Sequence, residues 1–220
     1  GERSLMYVNK TGKIYLITYG LKVLFTGAIT KQKNCFDSLL DGEFIMYGKE
    51  NKRLFIYAAF DIYYFGGMQK DAHVRELPFM TNDESILEDK TRLSLLHKFH
   101  QMLELQHVTK NSVCKFHMRV KHFESCGNHQ TIFEACSRIW EKRDHFDYEI
   151  DGLIFTPMQF GVGGNKIHEA NEINGKKFTW KHSFKWKPPA YNTIDFLVTT
   201  VKDKDGKDLV KHVVHENGNM

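Results

Sequence analysis

Apolar and polar residues alternate from the start of the chain. Ser4-Leu5-Met6-Tyr7-Val8 and Ile14-Tyr15-Leu16-Ile17-Thr18 flank the turn-forming stretch Asn9-Lys10-Thr11-Gly12-Lys13, the pattern of a β-hairpin with a short loop. A further run, Lys22-Val23-Leu24-Phe25, stops near Gly27. Two longer ones, Phe44-Ile45-Met46-Tyr47 and Leu54 to Ile62, flank the turn Gly48-Lys49-Glu50-Asn51-Lys52. The first third therefore reads as an antiparallel sheet. Thr81 followed three residues later by Glu84 has the spacing of a capping box, and Ile86, Leu93, Leu96, Phe99 and Leu103 follow at near-helical intervals, which predicts a helix over about 83–105. Residues 113–123 alternate again, with β-branched and aromatic side chains, and predict a strand. A second helix is expected over about 130–142, carrying Ile132, Phe133, Ile139 and Trp140.

The last third holds short strands with polar residues at fixed points: Glu149 to Phe155, Phe184 to Lys187 and Thr193 to Val198. Between the first two lies the Gly161-Val162-Gly163-Gly164 loop. It lacks a following helical pattern and so is not a dinucleotide fingerprint; it reads as a flexible connection. Lys202 to Asp208 looks like a hairpin turn that opens another β unit.

Composition changes this picture little. Among 220 residues, 41% hydrophobic and 13% aromatic, there is enough apolar material for a large core, which excludes disorder and collagen. The net charge of +4 is compatible with an anionic ligand but names none. No apolar run approaches the roughly 20 residues of a membrane-spanning helix, and Gly1-Glu2-Arg3 has no signal-peptide core, so no membrane partner is expected. Four cysteines without a C-x-x-C pair suggest a reducing, cytoplasmic setting. Cys114-x-x-His117 and Cys126-x-x-His129 imitate zinc spacing, but Cys114 and His117 would face opposite sides of one strand; core cysteines with surface histidines are the simpler reading.

Three segments set charge inside or beside apolar strands: Asp41-Gly42-Glu43-Phe44, Ile150-Asp151-Gly152-Leu153 and Lys185-Trp186-Lys187. A buried charge without a partner costs several kcal/mol, so each needs compensation. The period of two places both lysines on one strand face, where two ammonium groups repel unless an anion lies between them, and phosphate is a common one. Glu43 and Asp151 are hard oxygen donors of the kind that hold magnesium beside phosphate. Taken singly, such segments are ordinarily solvated faces or turns; together they point to phosphoryl chemistry.

In order along the chain, Gly1-Glu2-Arg3, Asp41-Gly42-Glu43-Phe44, Phe60-Asp61-Ile62, Asp151-Gly152-Leu153-Ile154-Phe155, Ser183-Phe184-Lys185-Trp186-Lys187-Pro188 and Asn192-Thr193-Ile194-Asp195-Phe196 resemble the motifs of the covalent nucleotidyltransferases. That family contains the mRNA capping guanylyltransferases and the nucleic-acid ligases. The Phe-Lys-Trp-Lys-Pro stretch looks most like the multifunctional capping enzymes of large DNA viruses. The resemblance implies an α+β nucleotidyltransferase fold over 1–198, with the start of an OB-fold over 199–220. It implies GMP transfer from GTP, with magnesium or manganese, through a lysine-GMP intermediate to the 5′-diphosphate end of RNA. The nucleophilic lysine of the K-x-D-G-x-R motif would precede Gly1, so this segment alone is expected to be inactive. By position, the resemblance assigns nucleotide contacts to Arg3, Glu43, Phe60 (stacked on the purine), Lys121 and Asp195. Asp151 joins Glu43 at the metal, and Lys185 and Lys187 act catalytically on the phosphates. Triphosphatase and methyltransferase domains in the same polypeptide, and the cytoplasm or the virion as the location, are further implications. An ATP-dependent polynucleotide ligase and a non-catalytic module that binds nucleotide or RNA ends stand as alternatives.

Overall fold

The computed structural model describes residues 1–83, 88–127, 130–172, 179–194 and 199–209. The predicted hairpin is present: β1 (Glu2–Val8) pairs antiparallel with β2 (Lys13–Thr18), and Gly12 takes a positive φ in the turn between them. β3 (Val23–Ile29) continues on the outer side of β2, while β4 (Ser38–Tyr47) and β5 (Arg53–Tyr64) extend the sheet beyond β1. Two short strands complete it, β6 (Gln106–His107) beside β3 and β7 (His117–Val120) beside β5, giving the order β6-β3-β2-β1-β4-β5-β7. β7 runs parallel to β5, so the sheet is mixed rather than wholly antiparallel.

Alternation along the strands separates the two faces of this sheet. One buries Met6, Val8, Ile14, Leu16, Leu40, Tyr57, Ala59 and Ile62, and α1 (Arg92–Met102) covers it with Leu95, Leu96 and Phe99. Each such side chain, fully removed from water, contributes about 1.5–3 kcal/mol. The other face has a smaller apolar cluster of Ile45, Ile56 and Ala58, packed by Leu54 and Tyr148, and by alternation also carries Arg3, Asp41 and Glu43.

The first helix starts later than its sequence pattern suggests. The Thr81 hydroxyl accepts from the Asp83 amide, and the N-cap of α1 is Thr91, whose side chain accepts from the Ser94 amide. Residues 84–87, Glu84 among them, lie outside the described residues. At the other end α1 stops at Met102, three residues short of the expected boundary, where Leu103 turns extended. The expected strand over 113–123 shrinks to β7, which pairs with Ile56 to Ala59 of β5. α2 (Ile132–Glu141) fits its prediction and has a complete capping box between Thr131 and Glu134, but it buries only Ala135 and leaves Phe133 exposed.

β8 (Leu153–Phe155) and β9 (Phe184–Trp186) form a separate antiparallel pair, with Leu153 opposite Trp186 and Ile154 opposite Lys185. The glycine loop before β9, expected to be flexible, is packed. Gly161, Gly163 and Gly164 are buried, Val162 donates to the Arg75 carbonyl, and a Cβ on Gly164 would meet the Glu169 carbonyl oxygen. Contacts divide the chain at Lys187 and Pro188. In the second unit the described residues show a turn at Pro189–Tyr191 and a bridge between Lys202 and Asp208, closed by Gly206 at positive φ. The expected strand at 193–198 falls largely on residues 195–198, outside the described ones, as does 210–214.

Candidate functional site

Two charged clusters form from the residues singled out in the sequence, both within residues 1–187. The first lies on the face of the large sheet away from its main apolar core. Arg3 on β1 is paired in register with Glu43 on β4, and Asp41, two residues along β4, is paired with Leu5. Gly42 between the two acids is dictated by packing: a Cβ there would fall 2.5 Å from the Tyr57 ring, which lies on the opposite, apolar face. Between β4 and β5 the register slips, since Asp41 faces Asp61 while Gly42 faces Ala59. Phe60 is the extra, unpaired residue of that bulge.

Two cations lie near the Phe60 ring. The guanidinium carbon of Arg3 and the ammonium of Lys121, just past β7, each lie 5.7 Å from the Phe60 centroid. Arg3 is 72% exposed at its side chain but anchored from below: its Nε and Nη2 donate to the two carboxylate oxygens of Asp41 at 3.2 and 2.6 Å. This fork raises the arginine's pKa further. Asp41 is only 1% exposed, and its Oδ2 also accepts from the Tyr63 hydroxyl at 2.5 Å. Lys121 Nζ donates to Glu43 Oε2 at 2.5 Å. Burial works against the charge of Glu43, but the Lys121 ammonium outweighs it and holds the carboxyl below its ordinary value.

The second cluster sits on the small sheet. Lys187 and Lys185 reach the same oxygen of Asp151, Oδ2, at 2.7 and 3.4 Å. The two lysines share one side of the strand, with Trp186 on the other, edge-on to Trp140 of α2 at 5.4 Å. Gly152 beside Asp151 lets the strands close, since a Cβ would meet the Trp186 carbonyl oxygen at 2.0 Å. The hydrogen bond from Lys187 lowers the Asp151 pKa, so the carboxylate is ionised between its two cations. Chemically, this is an anion position flanked by two ammonium groups and filled by the protein's own carboxylate.

Arg3, Glu43, Phe60 and Lys121 are thus brought together, and so are Asp151, Lys185 and Lys187. Glu43 and Asp151, assigned to one metal by resemblance, belong to different clusters, and Asp195 lies outside the described residues. Among the described residues no group of three or more His, Cys, Asp or Glu side chains is arranged around a metal position. An open cavity of about 540 Å³ lies elsewhere, between residues 80–83 and 157–160, and no residue of either cluster lines it.

Sequence reasoning missed three groups. Tyr63 turns its hydroxyl to Asp41. Asp61 and Arg92 form a buried two-point ion pair at 2.8 and 3.1 Å that ties α1 to β5, and Arg92 also donates to the Leu77 and Phe160 carbonyls. Burial pushes the Asp61 pKa up, against the pull of the guanidinium. An acid just after Phe60 in an otherwise apolar strand was the available signal; its partner, 31 residues on, had none.

Over 241 aligned positions the chain is 24% identical to a protein of Acanthamoeba polyphaga mimivirus named "Probable mRNA-capping enzyme", and the match covers 96% of this chain. No family model matches the chain. The chain spans about a fifth of the length of that relative, 19%. Nearly all of it is therefore distantly similar to one stretch of a probable capping enzyme.

Proposed function

We propose that this chain is the nucleotide-binding part of an mRNA guanylyltransferase with the nucleotidyltransferase fold. The observation that carries the reading is the convergence of Lys185 and Lys187 on one acceptor oxygen, in a chain whose large sheet also presents an aromatic ring near two cations. A nucleoside triphosphate needs both features: an aromatic surface for the base, and fixed cations for charge that builds on the phosphates. In this reading Phe60 stacks on guanine, and Arg3, Glu43 and Lys121 contact the ribose and the near phosphates. Lys185 and Lys187 exchange the Asp151 carboxylate for phosphate oxygens and stabilise the transition state. Asp195 is proposed to face the triphosphate.

Neither cluster builds an all-protein metal cage. Each contributes one ionised carboxylate, Glu43 or Asp151, which suits an ion held mainly by water and phosphate oxygens. Bound there, magnesium or manganese would neutralise phosphate charge.

The proposed reaction has two steps. The Nζ of a lysine supplied by the whole protein attacks the α-phosphorus of GTP, forming a P–N bond as the bond to the β-phosphate oxygen breaks and pyrophosphate leaves. A terminal oxygen of a 5′-diphosphate RNA then attacks the same phosphorus, the P–N bond breaks, and the amine is restored.

The test uses the full-length protein with magnesium and, separately, α-labelled GTP and ATP. Label from GTP that stays with the denatured protein is the expected result. Label from ATP alone would move the protein to the polynucleotide ligases, and none from either would leave a binding module without catalysis.

A further inference from the structure

We propose that Tyr63 is a positioning residue for Arg3, acting through the carboxylate of Asp41. This rests on the nucleotide-site reading above and assigns a role to a side chain outside every motif that supports it. The Tyr63 hydroxyl donates to Asp41 Oδ2 at 2.5 Å, the oxygen that also takes Arg3 Nη2 at 2.6 Å. Asp41 is almost wholly buried, so water is poorly placed to fix its orientation. A carboxylate can receive a two-point fork only when its plane matches that of the guanidinium, and a third donor on the far side locks that plane.

Arg3 has most to gain from such a lock. Its long side chain is largely exposed and would otherwise sample many rotamers, yet it has to stay over Phe60 with donors left for a ligand. Of the five N–H groups of a guanidinium, the Asp41 fork takes one from Nε and one from Nη2. Tyr63 is suited to the task chemically. Burial, and then the charge of Asp41, push its pKa well above the ordinary value, so the phenol keeps its proton and remains a donor across the physiological range.

The test compares Tyr63→Phe, Arg3→Ala and the double variant in the full-length protein, by GTP binding and by the KM and kcat of adduct formation. Tyr63→Phe keeps the ring and should melt within a few degrees of the wild type. It should weaken GTP binding about threefold to tenfold, the size expected for one lost hydrogen bond, with KM rising more than kcat falls. In the Arg3→Ala background the same change should have no further effect. An equal loss in both backgrounds, unchanged binding by Tyr63→Phe, or failure of that variant to fold would each overturn the proposal. Absence of GTP binding by the wild type would instead sink the nucleotide reading. The crystal structure of ligand-free Tyr63→Phe then decides the positioning role: Arg3 released from Asp41 and from the Phe60 ring supports it, and an unchanged fork overturns it.

Discussion

Every acid in the two clusters is held by a cation from a different segment of the chain: Asp41 by Arg3, Glu43 by Lys121, Asp151 by Lys185 and Lys187. These pairs differ in what they do for stability. The Asp151 pairs are about half exposed, and such surface pairs contribute little. The Asp61–Arg92 pair is different, because Arg92 is 0% exposed. Asp61→Ala would strand a buried guanidinium with only two carbonyls, and a loss of about 3–5 kcal/mol in urea unfolding is expected. A loss below about 1 kcal/mol would mean that water reaches Arg92. Glu43 supplies a pH signature. Its folded pKa lies below the ordinary 4.5, so folding favours the ionised form. That contribution is present above 4.5 and disappears as pH falls through the lower, folded value. The stability gap between wild type and Glu43→Gln should therefore narrow as pH drops below 4.5, and a gap independent of pH would refute the argument. At this scale the sequence made the lysine pair and the D-G-E stretch legible, since a period of two and an acid within an apolar strand are local facts. Tyr63 and Arg92 were not legible, because their roles depend on partners 22 and 31 residues away.

Elements were legible where local chemistry and tertiary pairing agree. The β1–β2 hairpin and α2 satisfy both: a turn glycine between alternating strands, and a reciprocal capping box at Thr131 and Glu134. The first helix did not, because Thr81 and Glu84 imitate a capping box whereas the real N-cap, Thr91, has Ser94 three residues on. β7 is shorter than its alternating pattern suggests, because a strand needs a partner as well as a pattern, and nothing within residues 113–123 encodes which of them pair with β5. The bulge at Phe60 was invisible for the same reason: a register slip belongs to two strands at once. α2 leaves most of its residues in contact with solvent, and its link to β9 is Trp140 against Trp186. Trp140→Ala should remove an edge-to-face contact worth about 0.5–1.5 kcal/mol. Since Trp186 lies between the two site lysines, the amides of Phe184–Trp186 and Leu153–Phe155 should exchange faster with solvent. Exchange unchanged in both strands would show that the small sheet holds without the helix.

On the scale of the whole molecule, the two clusters offer different chemistry, and a nucleotide would meet them with different ends. The sheet-face cluster has an aromatic ring, a feature that binds any base without regard to the phosphates attached. The small-sheet cluster presents only charge, so its contribution has to grow with the charge of the ligand. This separates the variants in a way that general damage to the fold would not. Phe60→Ala in the full-length protein is expected to lose about 1–3 kcal/mol of affinity for guanosine, GDP and GTP alike. Lys187→Ala should bind guanosine as the wild type does, lose affinity for GDP and lose more for GTP, and adding salt should diminish its deficit. Binding isotherms for the three ligands at two ionic strengths read both patterns. A Lys187→Ala deficit equal for guanosine and GTP would place that lysine away from the phosphates. A Phe60→Ala deficit that vanished for guanosine would return the ring to a packing role. The two patterns appearing together would make the clusters opposite ends of one nucleotide site, the arrangement that a transfer reaction at the α-phosphate requires.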